Sequence, residues 1–438
     1  MTVARFLRPA LRVGITALLL AACSNGSSAT TAGASATVGA GGDAVGGGGS
    51  GGGASSGAGG APAACEPGSG AKSHALVAAI VPDTGSAYLT AYTLEGGGRI
   101  VDPGVAPIPV VGPQRLAFSP SGKEVVVAYG TFATNYGVLV LDVAPDASSL
   151  TLRQDLVLGE GMIPQAVVWA SEEHVVVATL GGVDGHQLID VVRSGKDDFV
   201  VGKAADIPGN WPIGLARRPG IDGAGQVVLL RGDLLGGQDT TDVRAFALGA
   251  QGWTSAGTSV AVTPAAIRFG VHPSGLALYA PSDDPEARPA PDRLTPPGIL
   301  HRMRFAGDDV VSEPSYALPH VGSLLSVAPS GDFLVTQQPV FTVAGNGVAV
   351  ASYRIETVTL DGKGAPTAAF SSAEGFTAQT IDAFELTGDG LLVLGLTVAA
   401  EEPADAHPLL VWRQGSPGQW GEACERFKLP GLAVLAVH

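Results

Sequence analysis

The stretch Arg115-Leu116-Ala117-Phe118-Ser119-Pro120-Ser121-Gly122-Lys123-Glu124-Val125-Val126-Val127-Ala128 decides how this chain folds. It holds a short apolar run, a tight polar turn and a second run rich in β-branched residues. Proline presets φ for such a turn and glycine takes its positive-φ position, so two antiparallel strands meet across Pro120 and Gly122. Related copies lie at residues 267–279 around Pro273-Ser274-Gly275 and at 325–335 around Pro329-Ser330-Gly331. Weaker copies occupy 166–179, 215–230 with an expanded turn, and 381–394 around Gly388-Asp389-Gly390.

A spacing of about fifty residues matches the blades of a β-propeller, in which each unit is a four-stranded sheet. Further strands follow the first copy at 137–143 and 150–158, and no amphipathic helix is evident. The two ends complete the count. Val437-His438 repeats Val271-His272, so residues 431–438 read as the first strand of a unit cut off before its turn. Residues 74–81 and 86–94 read as the second and third strands of a unit lacking its first. One blade assembled from both ends closes the ring and removes exposed sheet edges. The expected fold is therefore all-β: a single seven-bladed propeller closed by the C-terminal strand. Ser119-Pro120-Ser121-Gly122-Lys123 resembles the turn of the YVTN and lactonase-like group of seven-bladed propellers, and the resemblance covers most of the chain after Cys65. It implies blade structure and carries no catalytic residue across.

Ahead of this array, Arg5, Arg8 and Arg12 precede an apolar run that ends at Leu20-Ala21-Ala22-Cys23, the charged, apolar and small-residue order of a secretory signal. The run is too short to span a bilayer of about 30 Å. Its last four residues resemble the lipobox of bacterial lipoproteins, which implies an acylated Cys23 and, with Ser24 following, sorting to the outer membrane. Residues 24–64 are nearly all Gly, Ser, Ala and Thr, have little to bury, and read as a flexible tether with a mean span of roughly 35 Å. The expected organisation is a signal peptide at 1–22, an acylated cysteine and tether at 23–64, and the propeller at 65–438.

Only 15% of residues are charged, while 63 Gly and 31 Pro supply abundant turns. The formal charge of −15 comes with no Lys/Arg cluster able to neutralise a row of phosphates, which excludes nucleic acid as a partner. It also leaves membrane attachment to the lipid alone. With Cys23 acylated, Cys65 and Cys424 are the remaining thiols, and an oxidising envelope favours pairing them across the closing blade. The alternative is two free, buried thiols.

No zinc spacing, Walker loop, nucleophile elbow or EF-hand loop is present. Chemistry, if any, must come from residues distant in sequence. In a propeller, the loops between second and third strands and those joining successive blades emerge on one face around the central channel. This places Asp184, His186, Trp211, Asp239, Asp283, Asp284, His320, Glu401, Glu402 and His407 on a common rim. Such a rim would hold a cation, a cationic ligand or a sugar, or simply face solvent. No cofactor is expected, with calcium the one ion the acidic groups would admit. The long loop 281–298 is a partner-contact candidate. Arg231-Gly232-Asp233 spells an integrin-recognition tripeptide short enough to arise by chance. Trp169, Trp253, Trp412 and Trp420 are expected to pack between blades, and His272 and His438 to mark a repeat position, not a metal site.

The leading reading is an envelope lipoprotein whose propeller binds an envelope protein or glycan. The alternatives are a lactonase-like hydrolase or a cation-dependent carbohydrate binder using the channel mouth. An acid/base pair and an arginine clamp converging at one end of the channel would favour the enzyme.

Overall fold

The computed structural model describes residues 72–438 except for short internal stretches, the longest being 233–239, 284–296, 372–379 and 398–406. Among the described residues there is no helix, and the strands form seven separate antiparallel sheets.

Each sheet is one blade. Blade 1 joins Val434–Val437 to His74–Ile80, Tyr88–Leu94 and Ile100–Val101. Blades 2, 3 and 4 begin at inner strands Pro113–Phe118, Ile163–Trp169 and Trp211–Arg218 and end at outer strands Leu150–Gly159, Asp198–Asp206 and Gly252–Val262. Blades 5, 6 and 7 begin at Gly270–Val271, Leu325–Val327 and Thr380–Leu386 and end at Asp309–Ser312, Pro366–Ser371 and Glu425–Leu429. The inner strands touch in sequence order, and that of blade 7 touches that of blade 1, so the ring is complete. Closure runs through Leu76↔Val437, Val77↔Ala436, Ala78↔Leu435 and Ala79↔Val434, which confirms the expected exchange between the two ends.

The apolar runs that open the second strands have a simple cause. Both faces of each middle strand pack against a neighbouring blade, so Val125-Val126-Val127 and Val175-Val176-Val177 are buried throughout and need no polar alternation. Seven hydrophobic clusters result, one at each interface between blades. A fully buried valine or leucine contributes about 1.5–3 kcal/mol, so the ring is held by many equivalent contacts instead of one central core.

The tryptophans behave as expected. Trp169 seals blade 3 against blade 2 and donates its indole N–H to Ala117 O at 3.0 Å. Trp253 packs between blades 3 and 4, and Trp412 and Trp420 between blades 6 and 7. His272 and His438 also act alike. His272 Nε2 donates to Gly331 O in the turn of blade 6 at 2.9 Å, and His438 Nε2 approaches Pro120 O in the turn of blade 2 at 3.4 Å. Each is a repeat-position strut that reaches one blade onward.

The inner strands carry a repeated irregularity. In blades 2, 3, 4 and 7 the register skips one residue, at Gln114, Gln165, Ile213 and Asp382. A β-bulge bends the strand and re-aims the next side chain. Here it lies at the end of the inner strand remote from the tight turn, where the connection between blades enters.

Candidate functional site

Arg115 follows one of these bulges, four residues before Ser119 of its turn; Arg268 stands four residues before His272, at the same place in the repeat. The corresponding residues in the other blades are Ala166, Gly214, Leu324, Ala383 and Val434, so arginine occurs there in blades 2 and 5 only.

Blades 2 and 5 share no sheet and no interface. Arg115 stands on the inner strand of blade 2 and Arg268 two residues before that of blade 5, and the like charge of Arg268 adds to the effect of burial in lowering the pKa of Arg115. Both are walled in by protein while keeping partial contact with solvent, as channel-lining side chains do. Burial, with the like charge adding to it, pushes Arg115 down to about 10, and burial lowers Arg268 as well. Both remain cations at neutral pH.

Arg115 Nη1 donates to Gln114 O at 2.7 Å and Arg268 Nη1 to Ile267 O at 3.1 Å. Among the described residues neither has a carboxylate within ion-pair distance. A guanidinium carries five donors in a planar fork, so most of this pair's donor capacity is left for an anion, which it would hold by charge-assisted bonds.

On the inner strand of blade 7, two residues before Thr387 of its turn, is Glu385. It is half-buried, and desolvation pushes its carboxyl up to about 7. A carboxyl titrating there can both give and take a proton at neutral pH.

The predicted rim residues divide into three groups. Asp184, Asp239, Asp284, Glu401 and Glu402 lie outside the described residues, as do Cys23 and Cys65. Trp211, Asp283 and His407 belong to strands and not to loops, pairing with Gly232, Gly298 and Leu429, because the strands run further toward the rim than turn residues suggest. His186 and His320 do lie on the expected connections. His186 accepts a bond from Gly181 N at 3.3 Å, and its pKa is lowered by burial.

His320 sits on the connection from blade 5 to blade 6, with Nδ1 3.6 Å from Glu356 Oε2. Glu356 is completely buried, neither carboxylate oxygen has a hydrogen-bond partner among the described residues, and burial raises its pKa against the opposing pull of His320. Residue-type patterns gave no sign of Glu356 because third strands carry no repeated motif. The arginines share one signal in the sequence: both fall at one fixed distance before a turn.

Other charged groups serve the scaffold. Arg231 is buried and paired with Asp242, their closest atoms 2.5 Å apart, so its guanidinium is occupied, and Asp233 of the same tripeptide lies outside the described residues. Glu124 is bound by Arg153 and Arg193 in a groove of about 510 Å³ between blades 2 and 3, lined also by Lys123 and Lys196. No cluster of three His, Cys, Asp or Glu side chains suited to a metal ion occurs among the described residues. Cys424 lies against Gly98 of blade 1.

No known family model and no curated protein matches the sequence. Solved structures do. A putative 6-phosphogluconolactonase from Bacteroides fragilis superposes with a TM-score of 0.60 at 12% identity, over 85% of this chain and 100% of that one. A periplasmic gluconolactonase from Pseudomonas aeruginosa gives 0.59 at 14% identity, over 84% and 99%. A putative 6-phosphogluconolactonase from Bacteroides uniformis gives 0.59 at 11% identity, over 84% and 100%. The likeness is one of fold. It bears out the seven-bladed propeller fold and leaves activity to the site itself.

Proposed function

We propose that this chain is an envelope-held propeller that admits a small carboxylate- or phosphate-bearing molecule to its central channel and acts on it as a lactonase-like hydrolase. The observation that carries the reading is the arginine pair. Two buried cations at the inner strands, without carboxylate partners among the described residues, are costly unless an anion joins them. Glu385 on the inner strand of blade 7, its carboxyl raised to about 7 by burial, supplies a proton donor and acceptor. The reported identities of the structural neighbours favour a sugar lactone as reactant. The periplasmic neighbour is in keeping with an envelope address. Acylation of Cys23, the tether at 24–64 and a Cys65–Cys424 bridge across the closing blade complete the proposal.

The test is thermal denaturation of the full chain with gluconate and 6-phosphogluconate. Each should raise the melting temperature, and Arg115→Met with Arg268→Met should abolish the rise. An unchanged rise in the double variant, or none in the parent, overturns the anion reading. Metabolic labelling with palmitate, expected in the parent and absent in Cys23→Ser, tests the anchor.

A second reading, as a protein-binding module, is favoured by one observation. Leu152 and Val157 of the outer strand of blade 2, and Val200 and Val201 of the adjacent outer strand of blade 3, are exposed. Apolar residues grouped on neighbouring edge strands suit a partner's surface. Leu152→Asp with Val200→Asp should weaken recovery of a cross-linked envelope partner if this face is used.

A further inference from the structure

We propose that Glu356 and His320 form a proton-transfer pair at the mouth of the channel, in which His320 meets the reactant and Glu356 positions it. The proposal rests on the hydrolase reading for its reaction, though not for its geometry.

At one cross-strand position blade 6 carries a carboxylate, where blades 1, 4 and 5 carry Thr90, Arg244 and His301 and the remaining three carry aliphatic residues. Counted from the turn, Thr336 of its second strand corresponds to Val127 of blade 2, Val177 of blade 3 and Leu394 of blade 7. The residues paired with these across the sheet are Leu139, Ile189 and Leu410, whereas Thr336 is paired with Glu356. A carboxylate therefore stands where three other blades place an aliphatic core residue. Thr336, Gln338 and Thr357 around it are also buried and polar.

A fully buried carboxylate lacking hydrogen bonds is among the least favourable groups a fold can hold. The placement is directional. Leu334, Val358 and Leu360 on the same face pack toward blade 5, so Glu356 looks into the interface from which His320 approaches. Among the described residues, His320 is the charged or titratable group whose field acts on it. The histidine side chain is 32% exposed and the glutamate's 0%, so a reactant can reach the imidazole but not the carboxylate.

Chemistry follows from this stacking. Nδ1 faces Glu356 and has no other partner, so a proton on Nδ1 is directed at the carboxylate and Nε2 presents its lone pair outward. The separation of 3.6 Å exceeds a hydrogen bond and would close by tightening around a bound ligand. His320 enters on the connection between blades, the same end of the channel toward which Arg115 and Arg268 stand.

In lactone hydrolysis, Nε2 takes a proton from water as the water oxygen adds to the carbonyl carbon. The carbonyl π pair moves to its oxygen. Collapse restores that double bond and breaks the ring C–O bond, and the departing oxygen recovers the proton from Nε2. One water is consumed, a hydroxy acid is formed, and His320 ends neutral with its Nδ1 proton still held by Glu356.

The experiment uses the full chain and glucono-δ-lactone, with hydrolysis followed by acid release. His320→Gln should lower kcat by about 10²-fold or more. Glu356→Gln should lower kcat at least about tenfold with KM unchanged, and Glu356→Asp should recover part of the loss. Both glutamate variants should melt no lower than the parent, which separates positioning from a structural role. Wild-type kcat in His320→Gln or Glu356→Gln overturns the proposal. Should the parent itself not hydrolyse the lactone, the hydrolase reading falls, and carbethoxylation of His320 by diethyl pyrocarbonate, read by peptide mass spectrometry, decides the pair alone. Slower labelling in Glu356→Gln, restored in Glu356→Asp, supports it; equal rates in all three overturn it.

Discussion

Blades 6 and 7 stand side by side and solve the same packing problem with different residues. In blade 7 the paired middle strands meet through Leu392, Val393 and Leu394 against Leu410 and Val411, all buried and apolar. In blade 6 the equivalent strands begin alike, with Leu334 and Val335, then turn polar at Thr336, Gln337 and Gln338, with Glu356 opposite Thr336 and Thr357 opposite Val335. Blade 7 shows what the scaffold needs. Blade 6 shows what it tolerates when seven near-equivalent interfaces share the load, and a local sacrifice of that kind is typical of functional positions.

The sharpest way to break this contrast is Leu394→Ala in blade 7. It should cost about 2–5 kcal/mol in urea unfolding, because a buried side chain is removed and a cavity remains. Thr336→Ala at the matching position should cost far less, and equal losses would mean that the two blades bear load alike.

Next in size, Glu356→Leu gives blade 6 the pattern of blade 7. It should stabilise the fold by about 1–4 kcal/mol at pH 8, since replacing a buried ionisable group by a well-packed apolar one is often favourable. A destabilised variant would show that the carboxylate is structural.

Glu385→Gln should act in the same direction with a defined pH window. The folded-state pKa is raised, so the parent is favoured below the ordinary glutamate range and loses stability as pH rises toward about 7. Parent and variant should melt together in acid, diverge through that interval and stay apart above it; a constant offset would refute the titration. The smallest effect is expected from Trp420→Phe, which removes the indole donor to Thr357 Oγ1 at 3.0 Å between the two blades and should cost about 1 kcal/mol.

Much of the fold was legible because its signals are local. A Pro-x-Gly turn and a β-branched run suffice to mark a blade, and the match of Val437-His438 to Val271-His272 located the closing strand. The site was harder to read. Arg115 and Arg268 are single letters on separate repeats, and only the ring brings them together. His320 was identified from its connection, but Glu356, buried beneath it, belongs to a strand without a motif. Trp211, Asp283 and His407 were assigned to loops because turn residues mark where a strand can end and not where pairing stops.

The bulged inner strands carry a consequence for how this molecule can change. Every blade sets one residue at the same height on the channel wall, and each belongs to a sheet with its own packing. Exchanging alanine, valine or arginine at that height alters what the channel attracts and touches at most the one interface that the blade shares with its neighbour. Ligand preference in such a ring can therefore drift one blade at a time, much as a combination lock is reset wheel by wheel.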